Sequence, residues 1–249
     1  MNIFYQTYKW VIAYPILVVV TILVAVTTMI GSVFDRGRWF GYYPPHIWAK
    51  LWCWLLFVKV EVRNRQLIDP KTSYVFIANH QGAYDIFTVY GFLGHNFKWM
   101  MKKSLEKIPF VGLACLCAGH IMVDRSSTKA VMQTLAVANK RLRNGMSLVV
   151  FPEGARTWDG KMRAFKKGAF KLASDFKLPL VPITIDGSFA VLPRTSTVGI
   201  KPGKIILTIH EPIPVDIKGT NLDAIMKQSF NSIQSALPEN ERVSLENLE

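Results

Sequence analysis

The sequence predicts an α/β fold: a central, largely parallel β-sheet flanked by helices, with a membrane-associated helical hairpin at the N-terminus. From Val60 onward, short runs of apolar and β-forming residues alternate with segments of helical pattern. Such alternation is typical of βαβ crossovers. Before Val60, two strongly apolar stretches follow each other with few charges. At 249 residues, half of them hydrophobic, the chain is long enough for one sizeable α/β domain plus an appendage.

The first apolar stretch, residues 11–30, contains no charged residue. As a helix rising about 1.5 Å per residue it would be roughly 30 Å long, the thickness of the hydrocarbon core of a bilayer. A cleaved signal peptide fits less well, because Lys9 is the only cation before the run and no small-residue cleavage site ends it. Arg36, Arg38 and a cluster of aromatic residues follow, which predicts that this end is cytoplasmic.

The second stretch, residues 46–60, is rich in tryptophan and leucine but is interrupted by Lys50 and Lys59. An aromatic-rich helix with cations suits the membrane interface better than a full span. Pro44-Pro45 separates the two stretches, so residues 1–60 are predicted to form a membrane-docking hairpin. The alternative is a pair of helices buried in the domain core, which fits the first helix less well because it is apolar all round.

Residues 61–249 carry the α/β pattern. The predicted strands are residues 74–78, 98–101, 121–123, 148–151, 180–185 and 205–209. The predicted helices are residues 109–117, a segment from Ser126 or Ser127 to Leu142, and residues 167–176 and 222–237. The closing strands of the sheet need not be parallel to the others.

Charge and cysteine content narrow the function classes. The 30 Lys and Arg against 17 Asp and Glu give a net charge of +13, which favours anionic partners. Nucleic acid is not expected, because the chain is strongly apolar and has no zinc-finger spacing or aromatic-basic signature of an RNA-binding sheet. The three cysteines, Cys53, Cys115 and Cys117, are too few for a disulfide framework and lack the spacing of a zinc site, so no metal site is predicted.

A histidine follows directly after a predicted buried strand. Residues 74–78 form the strand, His80 lies at its carboxyl end, and Asp85 follows where a helix can begin. Ligands in open α/β sheets gather at the carboxyl ends of the strands, so this pair suggests a general base and the carboxylate that orients it. On the residues alone, a loop histidine bonded to a helix-capping aspartate explains the pattern equally well.

Other strand ends carry groups suited to phosphate. Glu153 and Arg156 flank Gly154 after one strand, Arg125 follows another, and Lys102 ends a third. Arginine offers a planar fork for phosphate oxygens, and glycine lets the backbone approach a ligand. A surface Glu-Arg ion pair would explain one such site, but convergence of several strand ends favours a ligand.

Four blocks of the chain carry a resemblance to a known family. They are Asn79-His80 with Asp85, Val123-Asp124-Arg125, the run Phe151-Pro152-Glu153-Gly154-Ala155-Arg156, and Val181-Pro182-Ile183. In order and spacing they resemble the motifs of the glycerolipid acyltransferases, and most closely the bacterial 1-acyl-glycerol-3-phosphate acyltransferases. The resemblance covers roughly residues 60–215. Ala155 stands where that family commonly has threonine or serine.

The resemblance implies direct acyl transfer. His80 would take the proton from the sn-2 hydroxyl of a lysophospholipid as it attacks a thioester, and Asp85 would hold the imidazole. The residues implied in binding the glycerol-phosphate part are Arg125, Glu153, Gly154 and Arg156, with Lys102 as a further phosphate ligand. The oxyanion would be stabilised by backbone N–H groups near Gly154 or at the helix after His80. Cys115 and Cys117 are not expected to be nucleophiles.

The expected partners are a phospholipid membrane, a lysophospholipid acceptor, and an acyl carrier protein or coenzyme A thioester as co-substrate, with no cofactor. The expected location is a bacterial inner membrane, with the catalytic domain on its cytoplasmic face. Two alternatives stay open: an acyltransferase for glycerol 3-phosphate, another lysophospholipid or an amino-acid lyso-lipid, and a non-catalytic scaffold that binds anionic membranes.

Overall fold

A computed structural model describes residues 3–123, 146–196, 198–215 and 221–243. Within these residues, seven strands form one sheet: β1 (Val58–Arg63), β2 (Val75–Ala78), β3 (Phe97–Lys102), β4 (Ile121–Val123), β5 (Ser147–Val150), β6 (Leu180–Asp186) and β7 (Gly203–Ile209). Their order across the sheet is β1-β7-β6-β2-β5-β3-β4. The predicted site residue Arg125 and the helix predicted from Ser126 or Ser127 to Leu142 lie outside the described residues.

The sheet is mixed and mostly parallel, as predicted. Strands β6, β2, β5, β3 and β4 run in one direction. Strand β7 is antiparallel to β6, and β1 pairs in parallel with β7. The carboxyl ends of β2, β5 and β3 therefore meet at one edge of the sheet, where ligands bind in such folds.

Helices cover both faces of the sheet. They are α1 (Ile3–Tyr8), a π-helical turn (Lys9–Ala13), α2 (Tyr14–Asp35), α3 (Tyr43–Leu55), α4 (Tyr84–Phe92), α5 (Val111–Cys117), α6 (Gly168–Phe176), α7 (Ser188–Val191) and α8 (Leu222–Ser235). Alternate residues of β2 point into different cores: Phe76 packs with the N-terminal helices, whereas Ile77 packs with α6 and α8. All four residues of β2 are buried.

The second predicted helix was placed too far along the chain. It was expected over residues 46–60 with Pro44-Pro45 before it, but α3 contains both prolines in its first turn and ends at Leu55. Proline is tolerated there because the first N–H groups of a helix have no partner inside it. Val58 then begins a strand whose apolar residues alternate with Lys59, Glu61 and Arg63.

The first helix runs without a break from Ile3 to Asp35. Within the described residues it is the one helix long and apolar enough to cross a membrane, and most of its apolar side chains are exposed. One stripe faces the protein instead: Leu17, Ala25, Thr28, Gly31 and Ser32 are buried. A Cβ on Gly31 would lie 2.1 Å from the Phe40 ring, so the turn after the helix closes tightly against it.

The turn between α2 and α3 is clamped by the sheet domain. Three side chains donate to its backbone carbonyls: Lys98 Nζ to Gly37 (2.5 Å), Asn96 Nδ2 to Arg38 (2.8 Å) and the Tyr90 hydroxyl to Gly41 (3.2 Å). At the other end of the hairpin, Lys9 Nζ and the Tyr14 hydroxyl both donate to the Val198 carbonyl. The hairpin is thus fixed to the α/β domain at both ends.

The hairpin and the sheet also share one core. Leu17, Tyr42 and Leu56 belong to the same buried cluster as Phe76 and Val149. The predicted boundary between residues 60 and 61 falls inside β1. The division into two domains remains a prediction.

Candidate active site

His80 and Asp85 are in direct contact. His80 lies in the loop after β2, and Asp85 is in the first turn of α4; His80 Nδ1 and Asp85 Oδ2 are 2.7 Å apart. The same carboxylate oxygen accepts the backbone N–H groups of Gln81 (2.8 Å) and Gly82 (3.0 Å), and Asp85 is fully buried. Because Nδ1–H donates to the carboxylate, Nε2 is the ring nitrogen left to accept a proton.

The orientation of the His80 ring is fixed by aromatic stacking. It stacks on Phe151 with centroids 3.9 Å apart and planes 9° apart, and Phe151 stacks in turn on Trp99. Only 14% of the His80 side chain is exposed. Stacking and the Asp85 bond together fix the direction of Nε2, which a general base requires.

Glu153 holds the backbone on which His80 sits. Its Oε1 accepts the His80 N–H (2.7 Å), its Oε2 accepts the Arg163 N–H (2.9 Å), and the His80 carbonyl accepts the Thr157 N–H (3.0 Å). The predicted role of Glu153 was glycerol-phosphate binding. In the structure both of its oxygens are bonded to backbone groups, so its visible role is to join the loops that carry His80 and Arg163.

Burial dominates the protonation of Glu153. Loss of hydration raises the pKa of its carboxyl from 4.5 to about 8; the N–H groups of His80 and Arg163 oppose this rise, and the charge of Asp85 adds to it. A carboxyl whose pKa is raised by folding holds its proton in the folded state while the unfolded chain has lost its own.

This pKa gives a test of the Glu153 environment. Between pH 4.5 and 8 the folded state binds more protons, so stability is highest at the acidic end and falls as pH rises, by about 1.4 kcal/mol per pH unit at most. Denaturant unfolding at pH 5.5 and 7.5 should show this loss in the wild type and a much smaller loss in Glu153→Gln. Equal pH dependence in the two proteins would contradict the raised pKa.

The His80 loop is also supported from the other side. A Cβ on Gly82 would lie 2.4 Å from the Ser188 carbonyl, and Ala83 N–H donates to the Leu192 carbonyl at 3.2 Å. This close approach explains why glycine occupies position 82. The support from α7 and the residues after it was not predicted, because nothing local in the sequence links it to His80.

His80 lines an apolar cavity of about 440 Å³. Gly154 and Lys102 also line it. Its apolar wall includes Val24 and Ala25 of α2, Trp48 of α3, Ile86 of α4, and Val111 and Ala114 of α5. The hairpin therefore supplies part of the wall of the site, a role that the sequence did not predict.

The other predicted site residues take different positions. Gly154 adopts φ = 79°, a conformation that favours glycine, and Lys102 is exposed at the end of β3. Arg156 is half-buried and is not part of the cavity wall; its carbonyl accepts Arg194 Nη1 at 2.7 Å. Arg125 lies outside the described residues. The structure thus brings Lys102 and Gly154 to the His80 cavity and places Arg156 in the adjoining loop.

Backbone donors near His80 are largely occupied. The N–H groups of Gln81 and Gly82 bind Asp85, and the Gly154 N–H binds the Phe151 carbonyl at 3.0 Å. Within the described part of the chain, no acceptor is present for the N–H groups of Ala155 and Arg156. These two are the donors near Gly154 that remain available to a ligand.

Cys115 lies on the cavity wall but is a poor nucleophile. Burial raises the pKa of its thiol to about 11, so the thiol stays protonated near neutral pH. The thiolate is the reactive form of cysteine. This agrees with the prediction that Cys115 does not attack the substrate.

Comparison with known proteins agrees with this geometry. The acyltransferase family model matches residues 59–186, half of the chain. The chain is 32% identical to a 1-acyl-sn-glycerol-3-phosphate acyltransferase of Chlamydomonas reinhardtii over 73% of its own length and 54% of the algal protein, and 30% identical to a chloroplast enzyme of the same name from Brassica napus over 82% and 58%. It therefore spans little more than half the length of these relatives.

A solved structure covers nearly the whole chain. The 1-acyl-sn-glycerophosphate (LPA) acyltransferase PlsC from Thermotoga maritima superposes with a TM-score of 0.76 and 26% identity, over 94% of this chain and 93% of that one. The match includes the N-terminal helices as well as the sheet, because so little of either chain is left out. On the family match and the shared fold, the chain belongs to the acyltransferase family.

Proposed function

We propose that the protein transfers a fatty acyl group from a thioester to the sn-2 hydroxyl of 1-acyl-glycerol 3-phosphate, giving phosphatidate for phospholipid biosynthesis. The observation that carries the proposal is that His80, whose Nδ1 lies 2.7 Å from Asp85 Oδ2, lines an apolar cavity of about 440 Å³. The names of the three relatives reported above, each a 1-acyl-glycerol-phosphate acyltransferase, support the choice of acceptor.

The dyad supports a direct transfer. Nε2 of His80 accepts the hydroxyl proton as the oxygen attacks the thioester carbonyl, and the buried Asp85 carboxylate stabilises the imidazolium that forms. The C–O bond forms, the C–S bond breaks, and the departing thiolate takes the proton back from His80. The proposed donors to the oxyanion are backbone N–H groups next to Gly154, which lines the cavity; those of Ala155 and Arg156 have no acceptor within the described residues.

The cavity supports acyl chains as substrates. Its wall is largely apolar and includes residues of α2, α4 and α5, and each CH₂ buried there is worth about 0.8 kcal/mol. Lys102, which is exposed and lines the cavity, forms the proposed phosphate site together with Arg156 and Arg125. With the phosphate bound there, the acyl chain enters the cavity beside His80.

Arg156 gives a test of phosphate recognition. Arg156→Ala should raise the apparent KM for 1-acyl-glycerol 3-phosphate by about tenfold or more, the usual loss when a charge-assisted hydrogen bond to phosphate is removed. The matched control is Arg163→Ala, whose exposed guanidinium pairs with Asp159. Monoacylglycerol, which lacks the phosphate, should react equally with Arg156→Ala and wild type. An unchanged KM for the phosphorylated acceptor would place its recognition elsewhere.

The acceptor and donor are tested by a panel. Purified protein in detergent is given coenzyme A or acyl-carrier-protein thioesters with four acceptors: lysophosphatidate, glycerol 3-phosphate, another lysophospholipid and an amino-acid lyso-lipid. The proposal requires the highest kcat/KM with lysophosphatidate. A higher value with another acceptor would reassign the substrate, and the absence of transfer to all of them would favour the scaffold alternative.

We also propose that the protein is a membrane protein of the bacterial inner membrane, with its catalytic domain on the cytoplasmic face. The long apolar helix and its exposed side chains support the membrane association. Arg36 and Arg38 at the end of that helix support the cytoplasmic orientation, because cations favour that side.

A further inference from the structure

A second apolar surface lies outside the N-terminal hairpin. The segment of residues 103–117 consists of a 3₁₀ turn (Lys103–Lys107), a short loop and α5. Its exposed large apolar side chains are Leu105, Ile108, Phe110, Leu113 and Leu116. We call this set the apolar ridge. Phe110 and Leu113 are each more than half exposed, at 55% and 56%, which is unusual for neighbouring side chains of that size.

The backbone of the ridge has a defined conformation. Gly112 N–H donates to the Ile108 carbonyl at 2.8 Å, and a Cβ on Gly112 would lie 2.1 Å from the Glu106 carbonyl oxygen. Phe110 has φ = 59°, a strained conformation for a residue with a side chain. The backbone is thus held in a costly conformation with Phe110 exposed, which a solvated loop would have no reason to maintain.

The ridge adjoins both the cavity and the first helix. Leu105, Ile108 and Val111 line the same cavity as His80. Helix α5 packs against α2, whose far end carries Val33 and Phe34 exposed. Exposed apolar side chains are thus found on two helices that pack together, and both helices line the cavity.

Cations flank the ridge. Lys102 and Lys107 are exposed at the two ends of the 3₁₀ turn, and Glu106 is the one acidic residue among residues 102–117. Apolar side chains bordered by lysines match a lipid surface, where acyl chains lie beneath anionic headgroups. A second copy of this chain would meet the same lysines with like charge, since the protein carries a net charge of +13.

We propose that the apolar ridge inserts into an anionic lipid leaflet beside α2, as a second membrane contact that belongs to the α/β domain. The inference rests on the proposed function in one respect, because a lipid-substrate cavity explains why its wall and the ridge share residues. An acyl chain then passes from the leaflet into the cavity past Leu105 and Ile108 without crossing water.

Depth measurement with spin labels tests the contact directly. The full chain carries Cys115→Ala and Cys117→Ala, while Cys53 is kept because its side chain is buried. A label is placed by Leu113→Cys, or by Phe110→Cys, and the protein is reconstituted in vesicles of zwitterionic and anionic phospholipid. Gln228→Cys and Asn231→Cys are the controls, since both are exposed on α8, which packs in the core on the opposite face of the sheet. Melting temperatures verify that each variant is folded.

The accessibility of the labels decides the outcome. Labels at positions 110 and 113 should be relaxed more by oxygen, which concentrates in lipid, than by a water-soluble nickel complex, and labels on α8 should show the reverse. If the label at 113 behaves like the controls, the ridge faces water and the proposal is wrong. If it is shielded from both reagents, protein covers the ridge and the proposal is equally wrong.

A kinetic arm separates this inference from the proposed function. Two rates are compared: acyl transfer to acceptor in vesicles and acyl transfer to acceptor in micelles. In the double variant Phe110→Glu with Leu113→Glu, the ratio of the first rate to the second should fall about tenfold, because charge replaces two inserted apolar groups. Gln228→Glu with Asn231→Asp adds the same charge on α8 and should leave the ratio unchanged. Complete absence of transfer in the wild type would overturn the proposed function, while the label accessibilities would still decide the ridge.

Discussion

Replacing His80 by alanine is expected to lower the rate of acyl transfer by about 10²- to 10⁴-fold, the contribution of a positioned general base. In our proposal Nε2 of the imidazole takes the proton of the attacking hydroxyl. Alanine removes this proton acceptor and leaves substrate binding in the cavity in place. The rate is measured as thiol release from the thioester in the presence of lysophosphatidate. Membrane association should be retained, because the substitution leaves the exposed apolar side chains of α2 unchanged.

Asp85→Asn is the companion variant. The asparagine oxygen can keep the bonds to Gln81 and Gly82, but the charge that stabilises the His80 imidazolium is lost, so the rate should fall while KM changes little. Thr88→Ala, at a buried position of the same helix outside the dyad, controls for general damage to α4. Wild-type turnover in folded His80→Ala would remove His80 from the role of base.

Removing residues 1–57 is expected to unfold the α/β domain and not merely to release it from membranes. The deletion strips Leu17, Tyr42 and Leu56 from the core shared with Phe76. Each such large side chain contributes about 1.5–3 kcal/mol by burial, against a typical total stability of about 5–15 kcal/mol. Near-ultraviolet circular dichroism and cooperative unfolding of residues 58–249 measure the result. A stable, cooperatively folded fragment would show that the domain is independent of the hairpin.

Two adjacent positions of α2 give the same test without a deletion. Leu17 is fully buried and Val18 is 58% exposed. Leu17→Asn should destabilise the whole protein in detergent by about 2–5 kcal/mol, as expected for a core leucine replaced by a smaller polar residue. Val18→Asn should leave stability in detergent almost unchanged. Equal effects of the two would mean that α2 is a free anchor.

The strands with the strongest patterns could be predicted from sequence, and with them the position of His80. The run from Val75 to Ala78 is apolar throughout and all four residues are buried, so the strand and the place of His80 at its end followed from local pattern. The contact of His80 with Asp85 could also be predicted locally, because the two residues are five positions apart, where the loop after the strand leads into a helix. The antiparallel closing strand was allowed for and is observed at β7.

Strand β1 was missed because its pattern is ambiguous. Val58, Val60 and Val62 alternate with charged residues, which is a strand pattern. The preceding tryptophans and leucines have helical spacing, so the helix was predicted to continue to residue 60. Pairing with β7, far along the chain, decides the outcome. Short apolar segments of this kind are settled by tertiary context.

The role of Glu153 could not be predicted either. The predicted contact of Glu153 with substrate stays a prediction, while in the structure its carboxyl accepts the N–H of His80, 73 residues away in the chain. No local pattern shows such a bond. The face of α2 that packs on the protein could not be predicted, because the helix is apolar all round. In the structure this face includes the buried small residues Ala25, Gly31 and Ser32.

The most direct test of the central claim, acyl transfer by the His80–Asp85 dyad without an acyl-enzyme, is a rapid-mixing measurement of thiol release. Enzyme mixed with thioester alone should release no burst of thiol. Addition of 1-acyl-glycerol 3-phosphate should then release thiol and form phosphatidate in equal amounts, and His80→Ala should do neither at a comparable rate. A stoichiometric burst before the acceptor is added, or thiol release that does not depend on the acceptor, would contradict the account.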